Sequence, residues 1–503
     1  MTRPDQPNIV MIVSDEERRT DWLDGMADLP AHDRLGADGL TFKRHYTHSS
    51  PCSPSRASLF TGRYLPQHGV LDNVNFPEHT ALDPAIPTIG SLLRGVGYEA
   101  AYVGKWHLDL GPFPDLEAHG YSGWQGSDHH YVGGPWTGLH FDPIIAAQAV
   151  DWLEREAPRL DQPWCLTVAL VNPHDVMWYP ADQPAYAADH PEDARLLAMI
   201  KDIRCGDVDL EPFRGEYPER FDRLPDNFDD DLHTKPEIQR MWRWVRNREH
   251  FVGSMDLDEP RQWLRQLDYY AWLHERLDES LATVLGALDR LGIYDDTAIV
   301  YTSDHGDACG SHGLRAKLPC VYEEVLGVPL VVKVPGVTEA GATTDALSTH
   351  VDLAATVCAL GGVGERGGGP APEGTLAGAD MAPTLADPTV SVRDHVLFAQ
   401  DSAQSPLLRG CRYAVRGFFD GDTKYARYYG IGGGVQRDGT TDDAGKVVPV
   451  DAPFDDQDHE LYDCGDDPGE LVNRANDRSR RRELREQFDR LLEYEAWEFA
   501  PLD

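Results

Sequence analysis

Five short, nearly continuous apolar runs constrain this chain more than any other feature: Ile9–Val13, Ala100–Val103, Cys165–Val171, Ala298–Thr302 and Leu330–Val334. Runs of that length without polar alternation suit strands covered on both faces. Between them lie helical patterns. The clearest is Arg261–Leu291, where Leu264, Leu267, Ala271, Leu277, Leu281, Leu285 and Leu288 recur mostly at three- and four-residue steps. Strands alternating with helices predict an α/β fold, a large mostly parallel sheet sandwiched by helices.

The residues just past these runs are chemically loaded. Ile9–Val13 leads into Ser14-Asp15-Glu16, and Ala100–Val103 into Gly104-Lys105-Trp106-His107. Cys165–Val171 leads into Asn172-Pro173-His174-Asp175, and Ala298–Thr302 into Ser303-Asp304-His305-Gly306. In an open parallel sheet, ligands bind beyond the carboxyl ends of the strands. One acidic residue after a strand is ordinarily a helix cap or a turn former. Four strands carrying complementary groups to one edge weaken that reading. Asp15, Glu16 and Asp304 offer hard oxygen ligands for a divalent cation, and His305 adds a nitrogen. Lys105, His107, His174 and Lys317 offer positive charge and protons. Such a set suits a multi-oxygen anion, sulfate or phosphate alike.

A nucleophile candidate lies in Ser50-Pro51-Cys52-Ser53-Pro54-Ser55-Arg56, a turn followed by a helix start, with Pro54 suited to a first helical turn. That puts Cys52 near a helix N-terminus, where anions are stabilised. A lone cysteine there reads equally as a structural thiol. The other cysteines, Cys165, Cys205, Cys309, Cys320, Cys358, Cys411 and Cys464, form no C-x-x-C pair, which argues against a disulfide framework, a zinc site or a resolving partner for redox chemistry.

These residues resemble the type I sulfatases of the alkaline phosphatase superfamily. Cys52-Ser53-Pro54-Ser55-Arg56 matches the signature C-x-P-x-R and continues into Ala57-Ser58-Leu59-Phe60-Thr61-Gly62-Arg63. Gly104-Lys105-Trp106-His107-Leu108 resembles the second signature block. Thr302-Ser303-Asp304-His305-Gly306, Gly310-Ser311-His312-Gly313 and Lys317 resemble the metal- and sulfate-binding block. Glu460-Leu461-Tyr462-Asp463 with Asp467-Pro468-Gly469-Glu470 resembles the C-terminal one. The matches run from Asn8 to Ala475.

The resemblance implies an alkaline-phosphatase-like fold and a sulfuric ester hydrolase whose nucleophile is formylglycine, made from Cys52 by a formylglycine-generating enzyme. It implies that Asp15, Glu16, Asp304 and His305 bind one divalent cation, with calcium implied first and manganese or magnesium left open. Arg56 would steady the formylglycine, and Lys105 and His107 would contact its hydrate or the sulfate. His174 and Lys317 would hold the sulfate and help the leaving group depart. The expected partner is a small-molecule or carbohydrate sulfate ester. Two positions depart from the family pattern. The usual Asp-Asp pair is Asp15-Glu16 here, and His305 stands where many members have asparagine. A phosphonate or phosphate ester hydrolase of the same superfamily is the alternative enzyme, and an inactive binding homologue the alternative class. The latter is disfavoured because Cys52, Arg56 and Lys317 are all present.

The rest of the chain is less informative. Residues 1–388 are expected to form the catalytic domain and 389–503 a smaller C-terminal α+β subdomain. Within the first, 179–259 is polar and irregular and reads as an insertion or lid; Gly361–Gly378 reads as a connector, and Arg478–Trp497 as a final helix. Trp124, Tyr131, Trp136, Trp178, Tyr179, Trp242 and Trp244 are either pocket walls or packing. His312 is either a support for the site or a turn residue. The net charge of −39 repels nucleic acid and anionic membranes. No apolar run reaches eighteen residues, and the N-terminus has no secretory pattern, so a cytoplasmic protein is expected.

Overall fold

A computed structural model describes the chain except for residues 1–5, 76–78, 111–112, 114, 125–132, 207, 211, 214, 364–374, 403, 409, 431–449 and 503. Thirteen strands are described: β1 (Asn8–Asp15), β2 (Leu40–Phe42), β3 (His45–Tyr46), β4 (Glu99–Gly104), β5 (Trp164–Pro173), β6 (Thr297–Ser303), β7 (Leu330–Lys333), β8 (Thr343–Thr344), β9 (Ser348–Thr349), β10 (Val396–Gln400), β11 (Ala414–Phe419), β12 (Thr423–Tyr429) and β13 (Asp458–Asp463). Seven form the main sheet, in the order β4-β5-β1-β6-β7-β2-β8. β4, β5, β1 and β6 are parallel neighbours, so their carboxyl ends share one edge.

The sheet is mostly parallel, with one reversal. The run at Leu330 becomes β7, which pairs antiparallel with β6, and β2 pairs antiparallel with β7. A parallel neighbour needs a crossover, normally a helix. The segment between β6 and β7 instead holds a loop and the short helix Glu323–Leu326, so the chain returns on the edge it left.

Alternate residues of β1 serve two cores. Ile9, Met11 and Val13 pack with Ala57, Leu59 and Phe60 of helix α1 (Cys52–Thr61) and with Leu353, Ala354 and Val357 of a later helix (His350–Leu360). Val10 and Ile12 pack on the other face with α2 (Thr137–Arg155) and with Leu277, Leu281, Leu285 and Leu288 of the long helix α5 (Pro260–Leu291). Burial on both faces explains why these strands read as continuous apolar runs. The long helix spans the range expected from its leucine spacing to within a residue.

Strands β10–β13 form an antiparallel sheet. One face packs Leu397, Phe418, Tyr425 and Leu461 on Leu484, Phe488 and Leu491 of the last helix, Arg481–Glu498. The other packs Val396, Phe398, Ala426 and Tyr428 against Tyr46, Trp242 and Val325. The stretch 179–259 is more regular than its composition suggests. It holds α3 (Pro191–Cys205) and α4 (Glu237–Arg246), and α4 buries Ile238, Trp242 and Val245. Those three sit at helical spacing inside a charged background, which hid the apolar face. Among the described residues, no helix is long and apolar enough to cross a membrane.

Candidate active site

The parallel edge collects the expected residues. Asp15 ends β1, with Glu16 next. Lys105 follows β4, His174 follows β5, and Asp304 and His305 follow β6. Asp15, Glu16, Cys52, Arg56, Lys105, His107, His174, Asp304, His305 and Lys317 are all buried. Gly104 has φ +95, and a Cβ there would meet the Ala169 carbonyl at 1.9 Å, so the step from β4 to Lys105 requires glycine. Glu16 and His107 have φ of 68 and 60, a backbone region uncommon for residues with a Cβ and typical of functional turns.

Cys52 is the first residue of α1, and the polar residues of its motif tie that helix end to three strand ends. Ser53 Oγ donates to the His107 carbonyl at 2.6 Å, and Ser55 Oγ donates to the Asp304 carbonyl. Arg56 Nη1 donates to the Lys105 carbonyl at 2.8 Å. The other end of the helix stops at Gly62, φ +61, where a Cβ would press on Leu376 at 2.8 Å.

Arg56 also joins the two carboxylates. Its Nη2 lies 2.8 Å from Asp15 Oδ2 and its Nε 2.9 Å from Asp304 Oδ2. Lys105 Nζ reaches the same Asp15 oxygen at 2.7 Å. Asp304 Oδ1 accepts the backbone N–H of Glu16 at 3.1 Å and of His305 at 2.9 Å. His305 Nδ1 lies 2.9 Å from the Gly306 carbonyl, to which an N–H on Nδ1 donates, so Nε2 is the ring nitrogen turned toward Cys52. That Nε2 is 3.1 Å from Cys52 Sγ, and Asp15 Oδ1 is 3.7 Å from the same sulfur.

Charge follows burial here. Burial alone would raise the Asp15 pKa, but Lys105, His174, Arg56 and Lys317 outweigh it and hold Asp15 well below the carboxylate range. Burial and the neighbouring Asp15 raise Asp304. Burial raises Glu16 well above normal, against Lys317, and Asp307 adds to the rise. Burial also pushes the Cys52 thiol up to about 11, with Asp15 adding and the lysines opposing. The unmodified thiol is therefore protonated and a poor nucleophile at neutral pH. His107 and His174 are held well below the usual imidazole value, by burial first and nearby cations second.

The donor set fits a divalent cation. Ligand atoms of Asp15, Cys52, Asp304 and His305 lie within 4.8 Å of one another, and those of Asp15, Glu16 and His174 do the same. Glu16 Oε1 is buried with no hydrogen-bond partner among the described residues, while Oε2 accepts from Lys317 Nζ. Arg56, Lys105 and Lys317 already face these carboxylates, so what marks the site for a cation is the convergence of carboxylate oxygens with His305 Nε2 and the unpartnered Glu16 Oε1. Glu16 is not within the group that holds Asp304 and His305; its tie to them is the backbone N–H.

Several residues gain or lose a place. His107 Nε2 lies 2.9 Å from Asn75 Oδ1, and Asn73 Oδ1 accepts the Ser53 N–H at 3.0 Å. Asp307 acts on Glu16 and accepts the N–H of Cys309 at 2.6 Å. The asparagines carry no sequence signal; Asp307 had one, two residues beyond His305. His312 lies outside the cluster, bonded to Asp230 at 2.8 Å and stacked on Tyr322. Among the aromatic candidates, Trp178, Tyr179 and Trp242 are buried packing, Trp136 nearly so, and Trp244 is exposed on α4. Trp124 donates to the Gly104 carbonyl at 3.0 Å. Tyr131 and part of the connector expected at Gly361–Gly378 (residues 364–374) lie outside the described residues.

Comparison with known proteins gives the family and two kinds of structural neighbour. The family model described as Sulfatase matches residues 7–363. N-acetylglucosamine-6-O-sulfatase of Bacteroides thetaiotaomicron is 27% identical over 405 residues, covering 71% of this chain and 68% of its own. A solved structure in complex with its substrate D-glucosamine-2-N,6-O-disulfate aligns over 98% of both chains with a TM-score of 0.70 and 20% identity. The phosphonate monoester hydrolase of Agrobacterium radiobacter aligns over 98% of this chain and 96% of its own, with a TM-score of 0.67 and 20% identity.

Proposed function

The chain belongs to the sulfatase family, and from that premise we propose that it hydrolyses a sulfate ester to an alcohol and inorganic sulfate, using formylglycine formed from Cys52 and one divalent cation. The observation that carries the reading is the position of the Cys52 sulfur, between His305 Nε2 and Asp15 Oδ1 at the start of α1. A buried, protonated thiol there makes little sense as a nucleophile, and good sense as the precursor of an oxygen nucleophile beside a metal.

Asp15, Glu16, Asp304 and His305 would hold the cation; calcium suits the carboxylates and His305 admits manganese. When present, formylglycine supplies an oxygen nucleophile and the cation stabilises negative charge on it. The residues do the rest. Arg56 fixes Asp15 and Asp304 and lies at full burial beneath position 52. Lys105 and Lys317 supply positive charge to the sulfate oxygens. His107, neutral at pH 7 because of its burial, is able to accept a proton from the nucleophilic residue. His174, 3.5 Å from Glu16, is assigned to the leaving alcohol. We take residues 1–388 as the catalytic unit and 389–503 as a smaller unit packed on it. A formylglycine-generating enzyme is the partner required for maturation.

The test is the mass of the tryptic peptide His45–Arg56 from protein made beside a maturation enzyme. A mass corresponding to formylglycine or its hydrate, together with release of sulfate from phenyl sulfate, is expected. An unmodified cysteine, in cells that convert a control sulfatase, would overturn the mechanism. Hydrolysis of a phenylphosphonate monoester in preference to phenyl sulfate would move the protein to the alternative reading.

A further inference from the structure

Among the described residues, Arg204 is a cation without an acidic partner. It lies in the last turn of α3, and its guanidinium stands 5.6 Å from the centre of the Trp178 ring. Trp178 is four residues beyond His174, on the turn after β5. Its Nε1 donates to the Gly133 carbonyl at 3.2 Å. The same backbone packs on both sides of the column: a Cβ on Gly133 would meet the His174 ring at 2.4 Å, and one on Gly134 would lie 3.7 Å from Arg204 Cβ. Arg204, Trp178, the 133–134 backbone and His174 therefore form one contiguous wall that ends at an active-site histidine.

Among the described residues Arg204 makes no ion pair and no hydrogen bond. The charged side chain that does act on it is Arg246, of the same sign, and its own charge reaches both Cys52 and His107. Among the described residues Arg246 has a single ion pair, with Glu249 at 2.6 Å, and its buried Nε has no partner. Arg246 thus has a carboxylate of its own, while Arg204 has none among the described residues. Arg204 is half-buried and keeps part of its surface open, so its guanidinium is accessible to a ligand, and a bound oxyanion would make charge-assisted hydrogen bonds with it. The sulfate being cleaved already has Lys105 and Lys317. Arg204 lies instead on the His174 side, where the alcohol half of the ester would lie.

Resting on the sulfatase reading, we propose that Arg204 is a specificity-determining residue that receives a second oxyanion, a carboxylate or another sulfate, on the alcohol half of the substrate. The substrate class is then an acidic sulfate ester, such as a sulfated uronate or aromatic acid, rather than a neutral or cationic one. Trp178 supplies a flat face under the guanidinium, which leaves the in-plane N–H groups directed at the ligand.

The experiment compares phenyl sulfate with 3- and 4-carboxyphenyl sulfate and with phenylene 1,4-disulfate, in the wild type, Arg204→Gln and Arg204→Lys. The wild type is expected to prefer at least one doubly anionic ester over phenyl sulfate in kcat/KM. Which ester is preferred separates the carboxylate from the sulfate. Arg204→Gln is expected to lower that preference by about fivefold or more, chiefly through KM, as a charge-assisted hydrogen bond predicts. Arg204→Lys restores part of it. A preference absent in the wild type, or changed less than that by Arg204→Gln, overturns the proposal. Calorimetric binding of the same esters to Cys52→Ala protein reads Arg204 even without turnover. Absence of phenyl sulfate hydrolysis by protein shown to carry formylglycine would instead overturn the sulfatase reading itself.

Discussion

Nη2 of Arg56 lies 2.8 Å from Oδ2 of Asp15, with both side chains entirely out of water. The same guanidinium neutralises Asp304 and holds the Lys105 carbonyl, so it spans three strand ends at once. Arg56→Leu would leave two carboxylates facing each other. Breaking such a buried pair costs about 3–5 kcal/mol, which a urea midpoint would show. Arg56→Lys keeps the charge but has no planar fork with which to reach three acceptors. It is expected to recover part of the stability and little of the turnover.

A divalent cation should stabilise the folded chain through the same carboxylates. Calcium at about a hundred times its dissociation constant would add about 2.7 kcal/mol. Scanning calorimetry with and without a chelator is expected to show a rise in Tm on adding calcium or manganese. In Asp304→Asn, which removes a charged ligand, that rise should largely vanish. A Tm indifferent to both chelator and metal would remove the cation from the proposal.

The strand ends were the most legible part of the sequence. The runs that became β1, β4, β5 and β6 are buried on both faces, so hydrophobicity alone marked them. The polar residues beyond them could be grouped because parallel strands present their carboxyl ends together. Two kinds of information were not legible. The direction of β7 depends on how the loop after Asp304 folds back, which its local pattern does not record. The contacts of Arg204 depend on a helix in the insertion whose apolar face is interrupted by charge. Asn75 and Asn73 reach the site from an irregular loop, where no periodicity marks them.

Behind the site, His32 gives stability a pH dependence of known sign. Burial lowers its pKa, but hydrogen bonds to Asp278 and Glu17 outweigh that and raise it to about 9. Its Nδ1 lies 2.6 Å from Asp278, and its Nε2 2.7 Å from the Tyr301 hydroxyl and 3.3 Å from Glu17. An imidazolium favoured in the folded state contributes stability that is complete below the unfolded value of 6.5. That contribution is lost as pH rises through about 9. The loss is on the order of 2–3 kcal/mol. Urea titrations at about pH 6 and about pH 9.5, on either side of that window, are expected to differ by that much in the wild type and by far less in His32→Asn. An equal difference in the two proteins would exclude the assignment.

Trp242 separates packing from substrate contact in the insertion. It is fully buried on α4, and its Nε1 donates to the Arg315 carbonyl at 2.9 Å. Arg315 in turn donates to the carbonyls of Tyr179 at 2.8 Å and Gly253 at 2.7 Å, two residues before Lys317 enters the site. The indole thus fastens the insertion to the segment that delivers Lys317, without touching the space in front of Cys52. Truncating a buried tryptophan costs about 3–5 kcal/mol. Trp242→Ala is therefore expected to lower the urea midpoint sharply. At temperatures where the variant remains folded, KM for phenyl sulfate should stay close to that of the wild type. A raised KM in folded Trp242→Ala that Trp242→Phe leaves equally raised would overturn the packing role, because phenylalanine refills the core without restoring the ring's outline.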